Sequence, residues 1–119
     1  MRNFRELKVW EKAHRLTLEI YQVTIHFPQE ERYGLISQMR RCSASIPANI
    51  AEGCGRSGKA EFAHFLQVAL GSASELDYHL LLSRDLRFLD AGAYEPLATR
   101  VTEVKRMLTV LIQKLRADG

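Results

Sequence analysis

Residues 58–85 read GKAEFAHFLQVALGSASELDYHLLLSRD, and apolar side chains recur in this stretch at steps of three and four residues. That spacing places them on one face of an α-helix and is typical of a heptad repeat. Residues 91–117 repeat the pattern. Heptad faces pack at about 20° to one another, which favours a bundle of nearly aligned helices. The predicted buried positions are Phe62, Leu66, Ala69, Ala73, Leu76 and Leu80 in the first stretch, and Tyr94, Leu97, Val101, Val104, Leu108, Leu111 and Leu115 in the second.

Two further helices are predicted upstream, at about residues 6–26 and 31–53, where the same spacing recurs. Pro28 ends the first helix and Gly53 ends the second. Because the connections are short, consecutive helices are expected to run antiparallel. The predicted fold is all-α, an antiparallel up-down four-helix bundle with a proline-kinked second helix, in a single domain over residues 1–119. The buried positions predicted for these two helices are Trp10, Ala13, Thr17, Ile20 and Thr24, then Leu35, Met39, Cys42, Ile46 and Ile50.

Two local features of the bundle carry separate expectations. Pro47 lies in the middle of the second helix, where it removes a backbone donor and is expected to kink the helix. Ser43 and Ser45 are expected to satisfy the freed backbone groups. Trp10, the only tryptophan, is expected in the core beside Ala13. A strip of small residues around the proline predicts close packing against a neighbouring helix, at Ala44, Ala48 and Ala51.

Composition excludes several classes of protein. Of 119 residues, 46% are hydrophobic and 26% charged, which is enough apolar surface for a core. No apolar run of about 18 residues would span a membrane, and the first residues lack a signal-peptide pattern, so a cytoplasmic location is expected. Cys42 and Cys54 would be roughly 18 Å apart on one helix, too far for a disulfide. Both are interpreted as small buried residues.

The residues reveal no catalytic constellation. Two Glu-x-x-His motifs, Glu11 to His14 and Glu61 to His64, have the spacing used in di-metal bundles. Both motifs face the flank or the solvent, so no metal site and no cofactor are predicted. Neither cysteine adjoins a histidine in the sequence, and a pairing in space stays open. His79 is interpreted as a surface or structural residue. The chain is therefore predicted not to be an enzyme, and no small-molecule substrate is evident.

Basic residues give the strongest positive signal. The spacing of Arg5, Lys8, Lys12 and Arg15 places them on one face of the first helix. Together with Arg40, Arg41, Arg56 and Lys59 they form a candidate nucleic-acid-binding surface, since such a stripe neutralises phosphates without reading base sequence. Acidic residues lie among these basic residues, so an ordinary solvated helix face would explain the basic stripe equally well. The net charge is +3 and the isoelectric point about 9.1.

Apolar residues outside the predicted core indicate subunit contacts. The third helix carries more apolar surface than one buried face requires. In a bundle whose helices are all peripheral, the surplus predicts a homo-oligomer. The candidate interface residues are Phe65, Leu70, Leu81 and Leu82.

Several motifs over about residues 4–116 carry a family resemblance. They include Leu7-x-Val9-Trp10-x-x-Ala13, Phe27-Pro28, Gln38-x-Arg40-Arg41, Ser45-Ile46-Pro47-Ala48-Asn49-Ile50-Ala51-Glu52-Gly53 and Phe62-x-x-Phe65-Leu66. On these motifs the chain resembles the four-helix-bundle proteins encoded in intervening sequences of bacterial 23S rRNA genes. It also resembles the accessory bundle protein of diversity-generating retroelements, a basic pentamer thought to engage nucleic acid. The resemblance implies a homopentameric ring and transfers no enzymatic activity.

The sequence therefore predicts a non-enzymatic oligomeric bundle that binds RNA or DNA with little sequence specificity through basic helix faces. The alternative is a structural or protein-interaction scaffold whose charges only solvate it. A third interpretation is a metal or small-ligand protein that uses the kink in the second helix.

Overall fold

The computed structural model describes residues 2–118, and these residues fold into an all-α bundle of four long helices. The helices are α1 (Lys8–Thr24), α2 (Leu35–Cys54), α3 (Lys59–Asp85) and α4 (Ala91–Asp118). Short 3-10 turns at Phe4–Glu6 and Gln29–Glu31 precede α1 and α2. The bundle measures 45 × 22 × 20 Å. Because a helix rises about 1.5 Å per residue, the longest helices match the 45 Å dimension and lie along the long axis of the bundle. The predicted all-α class with four helices is confirmed.

Contacts between neighbouring helices show their relative directions. From α2 to α3, Met39 contacts Ser83 and Ser45 contacts Ser72, so residue numbers rise on one helix as they fall on the other. From α3 to α4, Asp77 pairs with Lys105, while Arg84 lies over the ring of Tyr94. Each of these two pairs of helices therefore runs in opposite directions.

The closing contacts of the bundle lie between α1 and its two neighbours. Lys12 pairs with Glu103 and Glu19 pairs with Arg100, which brings α4 back beside α1. On the α2 side, the side chain of Arg40 donates a hydrogen bond to Thr24. All four helices therefore surround one core.

The heptad positions predicted for α2 and α3 are buried without exception. In α4 the core also contains Ile112, while Tyr94 and Leu111 are only half-buried. Asp90 caps the start of α4, since its carboxylate accepts a hydrogen bond from the backbone N–H of Ala93 at 2.8 Å. At the end of α3, Arg87 adopts φ 66° and the chain leaves the helix. The N–H groups of Phe88 and Leu89 then donate to the carbonyl of Ser83.

The buried face of α1 differs from the prediction. Val9 and Leu16 are buried, whereas Trp10 is half-buried at the edge of the core. The indole stacks between the ring of Phe4, at 4.8 Å, and the ring of His14, at 5.0 Å. The other four predicted positions, Ala13, Thr17, Ile20 and Thr24, are buried. The prediction that Trp10 is a core residue is wrong, because Val9 occupies the buried position at the start of the helix.

Pro47 lies buried inside α2, which continues from Leu35 to Cys54. The proline has no N–H to offer the carbonyl of Ser43, four residues earlier. The hydroxyl of Thr17, on α1, lies 2.8 Å from that carbonyl oxygen and 3.0 Å from the carbonyl oxygen of Ala13 on its own helix, and it donates to both as a shared hydrogen bond. A neighbouring helix thus supplies the bond that local serines were expected to supply. The kink itself stays a prediction.

The prediction that α2 packs closely against a neighbouring helix beside Pro47 is wrong within the single chain. Ala48 is exposed, and Ala44 and Ala51 are only half-buried. The tight contact lies instead at Gly53, where an added Cβ would come 2.9 Å from the ring of Phe62 and 3.0 Å from Cβ of Phe65. The α2–α3 contact therefore needs a glycine at its narrow end.

Candidate functional site

The predicted basic stripe on α1 divides into two parts with different surroundings. Lys12 faces α4, and its Nζ lies 3.3 Å from Oε1 of Glu103. Arg15 lies 3.9 Å from Glu11 on its own helix. A shallow depression between α1 and α4 thus alternates acidic and basic groups. We call it the balanced face; its residues are Glu11, Lys12, Arg15, Glu19, Arg100 and Glu103. Its opposite charges offset one another, so it offers a polyanion little attraction.

Lys8 lies beyond the balanced face and lines a different surface. There α1 and α4 form an apolar groove flanked by the three cations Lys8, Arg106 and Lys114. All three side chains are exposed, and the described residues that line the groove include no acidic side chain. We call this surface the basic groove; its floor consists of Leu7, Val9, Met107, Val110 and Leu111. Sequence spacing on α1 could not reveal it, since two of the cations come from α4.

The remaining predicted cations lie in varied settings. The guanidinium of Arg40 donates to the hydroxyl of Thr24 at 2.9 Å and to the carbonyl of Tyr21 at 3.2 Å, and lies over the tyrosine ring. It therefore joins α2 to α1, while its neighbour Arg41 is exposed. Arg56 pairs with Glu52 at 2.7 Å. Arg5 lies over the ring of Phe4 and Lys59 is exposed at the start of α3.

The fold gathers many of these cations at one end of the bundle. The backbone N–H of Arg2 donates to the carbonyl of Cys54, which places the beginning of the chain at the α2–α3 turn. Lys8 and Lys114 share the basic groove, so the end of α4 lies there too. We call this region the basic end; its cations are Arg2, Arg5, Lys8, Arg56, Lys59, Lys114 and Arg116, and the acidic residues described among them are Glu6, Glu52 and Glu61.

The opposite end carries charges of both signs in similar number. The acidic residues there are Glu30, Glu31, Asp85, Asp90 and Glu95. The basic ones are Arg32, Arg84, Arg87 and Arg40, which bonds to the last residue of α1, with Arg41 beside it. The net positive charge is therefore concentrated at the basic end.

The candidate interface residues are all half-buried within their own chain. Leu70 and Leu82 pack against the core, and Phe65 lies under the guanidinium of Arg56 at 4.8 Å. Leu81 is half-buried as well. Exposed apolar side chains on α3 are Val68 and Tyr78 instead. On α1, Leu18 and Tyr21 follow the spacing of one helix face together with Ile25, which lies just past the end of the helix and is 70% exposed. Sequence analysis missed this face because it sought the surplus on the third helix.

The structure also brings a cysteine and a histidine together. Sγ of Cys42 lies 3.7 Å from Nδ1 of His79, across the α2–α3 contact, and both residues are buried. Burial raises the pKa of the Cys42 thiol to about 12, and the negative charge of Glu75 adds to this effect. Such a thiol stays neutral and is a poor nucleophile. The two Glu-x-x-His motifs, by contrast, are exposed as predicted.

Comparisons with known proteins agree with the architecture. A model of the 23S rRNA-intervening sequence protein family matches residues 5–110. A crystal structure of a protein of unknown function from the S23 ribosomal protein family of Bacteroides thetaiotaomicron superposes with a TM-score of 0.79 and 26% identity, covering 87% of this chain and 97% of that one. No curated protein matches the chain. None of the described helices has an apolar stretch long enough to cross a bilayer.

Proposed function

The chain belongs to the 23S rRNA-intervening sequence protein family, and we propose that it is a non-enzymatic helical bundle that binds RNA or DNA without sequence specificity. The observation that carries the proposal is the basic groove, where Lys8, Arg106 and Lys114 surround an apolar floor with no acidic residue in the described lining. The groove opens on the basic end, so a phosphate backbone that enters it meets further cations. Counterions released from the phosphates would drive the association.

Low sequence specificity follows from the shape of this surface. The cations lie along a shallow groove and across the end of a compact bundle, and they can reach phosphates from several directions. Base edges in a duplex are read by an element that enters a groove of the nucleic acid. The apolar floor offers contact to sugars or unstacked bases, and such contacts discriminate little between sequences.

We further propose that the protein is a homo-oligomer, a pentamer as the family resemblance implies. The apolar face of Leu18, Tyr21 and Ile25 supports this proposal because it lies outside the core of the chain. The half-buried residues Phe65 and Leu81 add apolar surface on α3. Assembly would repeat the basic groove once per subunit, so weak contacts to one nucleic acid would combine into a larger affinity.

A titration of labelled single-stranded RNA and duplex DNA at low and physiological salt tests the binding proposal. The critical variant combines Lys8→Gln, Arg106→Gln and Lys114→Gln. The matched control combines Lys12→Gln, Arg15→Gln and Arg100→Gln, which removes the same charge from the balanced face. We expect the first variant to lose most of its affinity, with a salt slope smaller by about one per lost phosphate contact. The control should retain most of its affinity.

The competing function is a scaffold that contacts other proteins or further copies of itself. The balanced face favours it, since paired charges such as Lys12 with Glu103 solvate a surface without attracting a polyanion. Wild-type protein that binds neither nucleic acid at low salt would support the scaffold. Equal binding by the two triple variants would exclude the basic groove as the site.

A further inference from the structure

Three side chains with metal-binding atoms meet at the α2–α3 contact. Glu75 and His79 are one helical turn apart on α3 and so lie on the same face, and Cys42 faces them from α2. Sγ of Cys42 lies 3.7 Å from Nδ1 of His79, and Nε2 of His79 lies 3.8 Å from the Glu75 carboxylate. One ligand atom from each residue can be chosen so that all three are within 4.8 Å of one another. Sequence analysis did not reveal this set, because 37 positions separate Cys42 from His79.

We propose that Cys42, His79 and Glu75 form a zinc site that joins α2 to α3. A tetrahedral zinc ion, with bonds of about 2.3 Å to sulfur and about 2.0 Å to nitrogen, holds those two atoms about 3.5 Å apart. The observed separation of 3.7 Å needs only a small adjustment. Zinc binding displaces the proton of the neutral Cys42 thiol to the solvent. The resulting thiolate, with an imidazole and a carboxylate, suits zinc and disfavours the oxygen-seeking ions magnesium and calcium.

The burial of the three residues suits such a site. Cys42 and His79 are 5% and 7% exposed, so the core shields the sulfur and nitrogen ligands. An ion held by Nδ1 of His79 and the Cys42 sulfur lies on the other side of the ring from Nε2, which Glu75 approaches at 3.8 Å. The Glu75 side chain is 54% exposed, so it can turn towards that ion without disturbing the core. Its exposure also leaves an open side from which zinc can enter and a water molecule can complete the coordination. Three protein ligands and one open position are a common arrangement for zinc in proteins.

The site has consequences for the fold rather than for the basic groove. A metal bound by two helices stabilises the folded state, in which its ligands are assembled. Zinc should therefore raise the melting temperature, since the site ties α2, with its missing hydrogen bond at Pro47, to α3. Nucleic-acid binding should not depend on Glu75, because this side chain is absent from the lining of the basic groove.

The test uses the full chain, freed of metal with a chelator and titrated with Zn²⁺ in a calorimeter and with Co²⁺ in a spectrophotometer. We expect one Zn²⁺ per chain and a thiolate-to-cobalt charge-transfer band. Cys42→Ser should abolish the band. Cys54→Ser is the matched control, since Cys54 is also free and buried but lies outside the set, and it should leave both signals unchanged.

Glu75→Gln separates a three-ligand site from a simple Cys–His contact and is expected to fold, because the side chain is exposed. Its Zn²⁺ affinity should fall by at least about tenfold, since even groups that only support metal ligands contribute 10–100-fold. The Zn²⁺-dependent rise in melting temperature should shrink with it. Absence of a cobalt–thiolate band in the wild type, a band that survives Cys42→Ser, or wild-type affinity in Glu75→Gln would overturn the proposal.

Discussion

The α2–α3 contact and the α1–α4 contact differ in how they join their helices. Between α2 and α3 the side chains interlock closely, with Gly53 against Phe62 and a hydrogen bond of 2.9 Å between Ser45 and Ser72. Between α1 and α4 the outer contacts are exposed ion pairs, and an open groove lies beside them. The difference indicates that the first contact carries the stability of the fold, while the second leaves a surface free to bind a partner.

Two leucine truncations measure this difference most directly. Leu76, on α3, is fully buried, whereas Leu111, on α4, is half-buried in the floor of the basic groove. Leu76→Ala should lower the free energy of unfolding by about 2–5 kcal/mol, because it leaves a cavity in a packed core. Leu111→Ala should cost clearly less. Urea denaturation of both variants tests the order, and equal losses would refute the division of roles.

A glycine pair probes the narrow end of the α2–α3 contact. Gly53→Ala should destabilise the protein by about 1–3 kcal/mol, because the new methyl group would overlap the Phe62 ring. Gly71→Ala is the control, since an added Cβ there meets no atom within 4 Å. Alanine favours a helix over glycine, so the control should gain up to about 1 kcal/mol. A neutral Gly53→Ala would mean that α3 moves away at little cost.

The buried thiol at the same contact predicts a loss of stability in alkali. In the folded chain the pKa of Cys42 is about 12, against an ordinary value of 9.0. Above pH 9 the unfolded chain therefore loses this proton while the folded chain keeps it, so the stability contributed by the neutral thiol is lost as pH rises. By pH 10 the loss should reach about 1.4 kcal/mol.

The measurement compares metal-free wild type with Cys42→Ala, which lacks the titrating group. Urea denaturation at pH 8 and pH 10 should show the wild type losing more free energy of unfolding than the variant. Equal losses in both proteins would show that Cys42 does not experience the burial described above.

The smallest effect is expected on the balanced face. Lys12→Gln removes an exposed bridge to Glu103 and should cost only about 0.2–1 kcal/mol, less in high salt. Lys105→Gln, which removes a bridge of equal length to Asp77 across α3 and α4, should behave alike. Thermal melts at two salt concentrations provide the measurement. A cost above about 2 kcal/mol at Lys12 would assign the α1–α4 contact a larger structural role.

The sequence predicted the α2 and α3 core well because large apolar residues recur there at steps of three and four residues along one main face. In α1 the predicted positions Ala13, Thr17, Ile20 and Thr24 are buried, but the spacing fits either Trp10 or Val9 at the start of the helix. The large indole favoured Trp10, since periodicity alone does not show which of two neighbouring positions meets the other helices. The structure places Trp10 at the edge, where it stacks on Phe4 and His14.

The candidate sites were less predictable because they depend on contacts between distant segments. Spacing on α1 placed Lys8 and Lys12 on one face, but only the position of α4 assigns Lys12 to Glu103 and Lys8 to the basic groove. The meeting of Cys42 with His79 depends in the same way on how α2 is aligned with α3. Local patterns establish the helices, whereas these sites arise from the alignment between them.

The bond from Thr17 to the carbonyl of Ser43 has a consequence for how the bundle opens. Pro47 removes a hydrogen bond that α2 would otherwise form within itself, and α1 supplies the replacement. Were α1 to detach alone, that carbonyl would lose its partner in the middle of α2. The two helices are therefore coupled, and α1 and the centre of α2 should exchange their amide hydrogens as one cooperative unit.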